Sequence, residues 1–320
     1  MPVAAGRLTN LALLVLLVLA FGTGWLAFEL TGGSAHTVLW LHAAAGLAIV
    51  LLVPWKSLVA RRGIRRKRNL RWASLVLAFG VTVSIVYGIL HSAGYPNVGY
   101  LTAIDFHVGA AICVIPFLIW HVVARPIRLK ATDIGRRNFM RAGALGAAAG
   151  LAVALLPSAR RAPTGSFQAA HPPATSWLFD SVPQVDAGSW RLEVGGKGWT
   201  YDELLGYSDR ISAVIDCTGG WYSEQVWEGA LLERLLPEGV SGGASLNVRS
   251  VTGYSRRFDI TASGRMLVAT RMAGSPLDPD HGYPVRLVVP GQRGFAWVKW
   301  VVAIEVDDQP WWWQPPFPLQ

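Results

Sequence analysis

The sequence predicts a multi-domain chain: an N-terminal α-helical transmembrane bundle followed by a mainly β (α+β) domain outside the membrane. Three observations carry that expectation. The chain has 320 residues, 52% hydrophobic and only 15% charged, and its apolar residues concentrate before residue 157. Four apolar stretches, 11–30, 35–55, 72–92 and 104–124, are each long enough to cross a hydrocarbon core of roughly 30 Å. After about Trp177, short apolar runs alternate with Gly, Pro, Asp and Ser at intervals that suit strands. The expected order is a four-helix bundle over 1–130, a fifth membrane segment over 131–157, a linker over 158–176 and the β domain over 177–320.

The loops of the bundle set its orientation. The connection after the second span carries Lys56, Arg61, Arg62, Arg65, Arg66, Lys67, Arg68 and Arg71, and the one after the fourth carries Arg125, Arg128, Lys130, Arg136, Arg137 and Arg141. The other two, 31–35 and 92–103, contain no Lys or Arg. The positive-inside rule places the N-terminus in the cytoplasm and, if the fifth segment crosses, the C-terminal domain on the external side of a bacterial cell membrane. The net charge of +9 thus reports topology and contact with membrane lipid, and no nucleic-acid partner is expected. The fifth segment opens Gly135-Arg136-Arg137-Asn138-Phe139-Met140, which resembles a twin-arginine (Tat) export signal. Positive-inside arginines before any span would look similar, and cleavage at Ser158-Ala159 stays open.

Five of the seven histidines, His36, His42, His91, His107 and His121, lie in or at the edges of spans two to four. Ionisable groups at membrane depth are costly and usually functional, and imidazole is the usual axial ligand of a b-type haem. His107 and His121 are 14 residues apart, about 21 Å along one helix face. That spacing suits two stacked haems, but the inner layer offers only His121, so one outer haem is better supported than two. His42 and His107 form the favoured pair. Interfacial histidines bonded to loops would account for His36 and His91 more readily than for His42 and His121. Leu41-His42-Ala43-Ala44-Ala45-Gly46 and Asp105-Phe106-His107-Val108-Gly109, with His121 following, resemble the four-helix membrane cytochromes of the b561 type. That resemblance implies electron exchange with the quinone pool or another membrane carrier.

Residues 157–176, rich in Pro, Ala, Ser, Thr and Arg, read as an extended tether. Beyond it, strands are expected at 190–194, 213–216, 245–251, 257–261, 266–270, 285–289 and 298–306, with short helices at 201–206 and 229–236. No dinucleotide fingerprint, phosphate-binding P-loop or HExxH motif occurs. Cys217 has no disulfide partner in its own compartment, because the other cysteine, Cys113, lies in a span. A lone thiol is either small core filling or a thiolate for a soft metal.

Two further segments bear on that choice. Val214-Ile215-Asp216-Cys217-Thr218-Gly219-Gly220-Trp221, with Trp227-Glu228-Gly229, is followed by His281-Gly282-Tyr283-Pro284-Val285-Arg286, then Gly294 and Val298-Lys299-Trp300. Together they resemble the molybdopterin-dependent oxidoreductases of the sulfite-oxidase fold. The resemblance implies a molybdenum–molybdopterin cofactor with Cys217 as metal ligand and catalytic residue. It implies Arg286, Lys299 and His281 as partners of the pterin phosphate, and Gly219 as a close-approach position. The segment after Cys217 carries no cation, unlike the arginine-bearing segment that binds sulfite in animal and plant sulfite oxidases. The Cys-x-x-x-Trp spacing is more similar to the bacterial branch that includes the methionine sulfoxide reductase catalytic subunit. The expected function is therefore a membrane-bound enzyme reducing a small S- or N-oxide. The alternatives are sulfite-oxidase-like oxidation of a small sulfur substrate, or a non-catalytic membrane-anchored binding module.

Overall fold

The computed structural model describes residues 3–64, 71–95, 97–98, 101–127, 130–155, 161–174, 181–238 and 245–315. Arg65-Arg66-Lys67-Arg68, Arg128 and the Ser158-Ala159 pair lie outside the described residues. The chain divides into two compact units, Met1–Gly165 and Ser166–Gln320.

The first unit comprises α1 (Val3–Glu29), α2 (Gly32–Ile64), α3 (Arg71–Ser92), a two-residue ladder of β1 (Asn97–Val98) and β2 (Leu101–Thr102), α4 (Ala103–Ala124) and α5 (Arg136–Leu155). These five helices are long and apolar enough to cross a membrane, by length and composition. α1 packs on α2, α3 on α4, and α5 against α2. Small residues let the helices approach closely. A Cβ placed on Gly80 of α3 would lie 2.1 Å from Val114 of α4, and one on Gly150 of α5 would lie 2.8 Å from Trp40 of α2. The outward faces carry apolar side chains, with Phe79, Ile112 and Val123 all mostly exposed. α4 begins in a capping box between Thr102 and Asp105. The start of α1 is tied to the segment before α5 by the Arg7–Asp133 ion pair, at 2.5 Å.

The second unit comprises β3 (Phe167–Gln168), β4 (Arg191–Val194), β5 (Lys197–Thr200), α6 (Tyr201–Leu205), β6 (Asp209–Cys217), β7 (Trp221–Leu231), β8 (Ser245–Ser250), β9 (Ser255–Phe258), β10 (Leu267–Met272), β11 (Ser275–Pro276), β12 (Arg286–Val288) and β13 (Val301–Asp307). One sheet runs β11-β10-β7-β3, with β12 on β10 and β6 on β7; the other runs β5-β4-β13-β8-β9. Leu192, Trp227, Val248, Leu267, Leu287 and Ile304 fill the core.

Three expectations are corrected. The tether expected over 158–176 is interrupted by β3, which pairs in parallel with β7: Phe167 N–H donates to Gly220 O at 2.9 Å and Ala169 N–H to Tyr222 O at 2.8 Å. Those bonds satisfy a sheet edge that would otherwise stand open. Residues 229–236 are not a helix. Gly229 to Leu231 complete β7, and only Leu232–Arg234 form a 3-10 turn. A Cβ on Gly229 would lie 2.1 Å from Val268 O, so the glycine serves close strand pairing with β10. The strand expected at 257–261 ends at Phe258, and Ile260–Arg265 turn into 3-10 helix behind an Asp259 cap.

Candidate functional site

Cys217 is the last residue of β6 and pairs across the hairpin with Trp221, the first of β7. Three residues, Thr218, Gly219 and Gly220, make the turn. Gly220 has φ +87°, the left-handed conformation that three-residue hairpin loops require and glycine supplies without strain. The turn closes with Gly220 N–H donating to Cys217 O at 3.1 Å, and Gly219 N–H points at Cys217 Sγ at 3.4 Å. A Cβ on Gly219 would sit 3.6 Å from Sγ, so the glycine leaves one side of the sulfur uncovered. Cys217 is half-buried, a position where a thiol can meet a ligand. Trp221 is packed in the core, and its Nε1 is buried without a hydrogen-bond partner.

Arg286, the first residue of β12, is 2% exposed. Its guanidinium lies 5.1 Å from the ring centre of Trp227 and 5.8 Å from that of Trp297. Nη1 donates to His281 O at 3.2 Å and Nη2 to Trp297 O at 3.3 Å, and Nε has no partner. Burial pushes its pKa down to about 10, opposed by the charge of Cys217, so the group stays cationic at neutral pH. Among the described residues no carboxylate pairs with it. A buried cation without a carboxylate partner is a place for an anion.

Lys299 and the 278–282 turn gather beside it. Arg286 and Lys299 form an isolated antiparallel bridge. Gly282, at φ +109°, crosses over both: a Cβ there would lie 3.1 Å from Arg286 Cβ and 3.2 Å from Lys299 Cβ. Lys299 Nζ donates to Asp280 O at 2.6 Å. His281 has both ring nitrogens engaged, Nδ1 with Asp280 Oδ1 and Nε2 with Pro172 O, each at 2.9 Å. The structure therefore brings together Cys217, Gly219, Arg286, Lys299 and the His281 turn, with the His281 imidazole already committed to protein partners.

Sequence reasoning missed Arg293. It is 4% exposed, and its Nη1 donates to Asp216 Oδ1 at 2.7 Å. Ser166 Oγ donates to the same oxygen at 2.7 Å. The next residue, Gly294, lies on the hairpin itself, since a Cβ there would be 3.1 Å from Cys217 Cα. This loop thus fixes the backbone that carries the thiol. The available signal was a cation directly before Gly294, inside the second motif block.

In the first unit the structure places His42 of α2 and His107 of α4 with ring centres 5.6 Å apart. His42 Nδ1 is 2.9 Å from Ala20 O and His107 Nδ1 is 2.7 Å from Ser84 O. Carbonyl partners assign the proton to Nδ1 in both rings and leave Nε2 with its lone pair. Glycines face both rings: a Cβ on Gly24 would be 3.1 Å from His42 Cε1, and one on Gly88 would be 2.9 Å from His107 Nδ1. His91 is buried and hydrogen-bonded to the backbone of Gly165. His36 is exposed and stands apart from this pair, and His121 Nδ1 lies 3.2 Å from Ser74 Oγ.

Residues 179–313 match the family of the oxidoreductase molybdopterin binding domain. The chain is similar to an NADH nitrate reductase of Hordeum vulgare, 32% identical over 169 residues, 39% of this chain and 18% of that protein. It is 29% identical over 178 residues to sulfite oxidase of Gallus gallus, 42% of this chain and 38% of that protein. Among solved structures it is similar to the sulfane dehydrogenase SoxCD of Paracoccus pantotrophus, at 26% identity and TM-score 0.38 over 40% of each chain. The chain thus spans well under half the length of the curated relatives it matches. Its C-terminal unit is an enzymatic domain, a molybdopterin-binding oxidoreductase domain of the sulfite oxidase and nitrate reductase type.

Proposed function

We propose that this protein is a membrane-bound molybdenum oxidoreductase that takes electrons from the quinone pool and reduces a small S- or N-oxide at an external catalytic domain. The observation that carries the molybdenum reading is the half-buried Cys217 thiol beside the buried, carboxylate-free Arg286. That donor set fits a metal bound through sulfur to an anionic pterin: a soft thiolate for the metal and a desolvated cation for negative charge. The unpartnered Arg286 Nε and Trp221 Nε1 are donors the cofactor could satisfy. Bound there, the cofactor supplies two-electron oxo transfer.

The chain's own residues then divide the work. Cys217 holds the metal, with the Gly219 N–H tempering the charge on its sulfur. Arg286 and Lys299 hold the anionic side of the pterin, and the Trp227–Trp297 pair keeps water from Arg286. Arg293 and Ser166 lock Asp216 and so fix the approach of the hairpin. Segment 218–223 carries no cation, which favours a neutral oxide over the sulfite anion. The similarity of Cys-x-x-x-Trp to the methionine sulfoxide reductase branch points the same way.

The bundle would hold a b-type haem between His42 and His107. Both rings are fixed by Nδ1–H bonds to a neighbouring helix, the second-shell arrangement that orients ligating imidazoles. Gly24 and Gly88 give the rings room. The haem supplies one-electron transfer. The length and composition of the five helices support the membrane location. The basic loops support an external catalytic domain, and Arg136-Arg137 a twin-arginine route.

Metal and haem analysis of the purified full chain tests the reading. Stoichiometric molybdenum is expected, and its absence from cells with intact pterin synthesis overturns it. Cys217→Ala should abolish oxide reduction, by at least a thousandfold, while leaving the haem spectrum intact. A membrane preparation with reduced dye as donor, screened against S-oxides, N-oxides and sulfite, separates oxide reduction from sulfite oxidation.

A further inference from the structure

The bundle repeats its histidine layer, with different chemistry, toward its Lys/Arg-rich end. Fourteen residues from Gly24, His42, Gly88 and His107 lie Asn10 on α1, Lys56 on α2, Ser74 on α3 and His121 on α4. Each step runs toward the same end of the bundle, and 14 residues is close to four helical turns, so each helix offers the same face twice. The neighbour relations repeat too. In the first layer Gly24 lies on His42 and Gly88 on His107. In the second, Lys56 Nζ donates to Asn10 Oδ1 at 2.8 Å, and Ser74 Oγ lies 3.2 Å from His121 Nδ1. Lys56 and Arg125 both act electrostatically on His121, so α2 and α4 face each other in this layer as well.

What changes is the donor set. One imidazole has become a primary amine, and both glycine positions carry side chains. A protonated amine donates hydrogen bonds but offers no lone pair to a metal. Lys56 does not behave as a solvated positive-inside residue either: it is half-buried and turned onto α1. A cationic donor and an imidazole on facing helices suit a flat ring with an oxygen at each end.

We propose that Lys56 and His121 bind the head group of a quinone, one ring oxygen at each residue. The proposal rests on the haem-and-quinone reading above and names its entry site. Lys56 donates to one oxygen. His121, with Nδ1 on Ser74, presents Nε2 to the other. Quinol oxidation releases two electrons and two protons. A haem held by His42 and His107 would supply the one-electron acceptor for them, with the proposed molybdenum centre as the final two-electron oxidant. His121 Nε2 takes the proton of the hydroxyl it faces and passes it to water at the basic end of the bundle, and the hydroxyl at Lys56 loses its proton directly to water at that end.

The test uses the full chain in nanodiscs, with Lys56→Met and His121→Phe. An azido-ubiquinone photolabel should map to the α2 and α4 peptides around Lys56 and His121, and labelling should fall at least fivefold in each variant. This readout needs no haem. Labelling that maps elsewhere, or is unchanged in both variants, overturns the site. Stopped-flow reduction of the haem by decylubiquinol or menadiol should slow at least tenfold in each variant, while dithionite still reduces it fully; parental rates in both variants overturn the role. Haem content should be one per chain in all three proteins. Two per chain, falling to one in His121→Phe, overturns the proposal in favour of a second haem. A chain without haem overturns the earlier reading, whereas a haem-bearing chain indifferent to both substitutions overturns only this one.

Discussion

Arg286 and Arg293 are nearly inaccessible to solvent, at 2% and 4% exposure, and both bear on the Cys217 hairpin. Arg293 reaches it through Asp216, which it grips at 2.7 Å. Arg286 reaches it through the charge of Cys217 itself, and its other partners are backbone carbonyls and two indole rings. A buried ion pair is internally balanced. A buried guanidinium that, among the described residues, has no carboxylate partner lacks that balance. The contrast separates a residue that holds the hairpin from one proposed to hold a ligand, and substitutions at Arg293, Gly294 and Arg286 put it to the test.

The largest effect on folding should come from Arg293→Met. It leaves the Asp216 carboxylate with 13% side-chain exposure and without its cation. Breaking one side of such a pair costs about 3–5 kcal/mol. Chemical denaturation of the full chain, followed by tryptophan fluorescence, should show the loss in the transition of the C-terminal unit. The double variant Asp216→Leu/Arg293→Met should recover most of it. A single-variant loss below about 1 kcal/mol, the range of a surface pair, would remove the distinction between the two arginines.

Gly294→Ala should come next. The added methyl would meet Cys217 Cα at 3.1 Å and Asp216 O at 3.3 Å, both backbone atoms that cannot rotate away. Overpacking of this kind costs about 1–3 kcal/mol, and here the strain falls on the residue that carries the thiol. Molybdenum content should therefore drop in parallel with stability. A variant as stable as the parent with full metal would show that the 291–297 loop does not position the hairpin.

How much of this was legible in the sequence follows from how far each interaction reaches. The five helices were readable because each contains a continuous apolar run; α3 and α4 match the expected bounds to within one residue, while α1 starts at Val3 rather than 11 and α2 runs on to Ile64 rather than 55. The end of β6 at Cys217 was readable from the apolar run over 213–216 and the glycines that follow it. β7 was not, because Ser223, Glu224 and Gln225 interrupt its apolar alternation while Trp221, Trp227 and Ala230 bury its inner face. Arg293 was hidden because its partner lies 77 positions away; no local pattern marks such a pair. β3 was hidden for the same reason, since it pairs with β7, more than 50 positions away. The His42–His107 pairing followed from depth and spacing alone, but the glycines that face the two rings belong to other helices and surface only once the bundle is assembled.

The smallest effect on folding, and the sharpest on function, should come from Arg286→Met. Methionine keeps much of the aliphatic stem that packs between Trp227 and Trp297 while removing a charge that burial already disfavours. Replacing an unmatched buried cation by an apolar side chain is close to neutral, so the stability of cofactor-free protein should stay within about 1 kcal/mol of the parent. Retention of the anionic cofactor loses its desolvated cation, and charge-assisted hydrogen bonds of that kind are roughly twice as strong as neutral ones. Molybdenum per chain after gel filtration should fall at least tenfold. Arg286→Lys should restore only part of it, because an ammonium cannot reproduce the planar fork that spans His281 O and Trp297 O. If Arg286→Met instead unfolds the domain as Arg293→Met does, Arg286 is a structural residue and the anion site must be sought at Lys299.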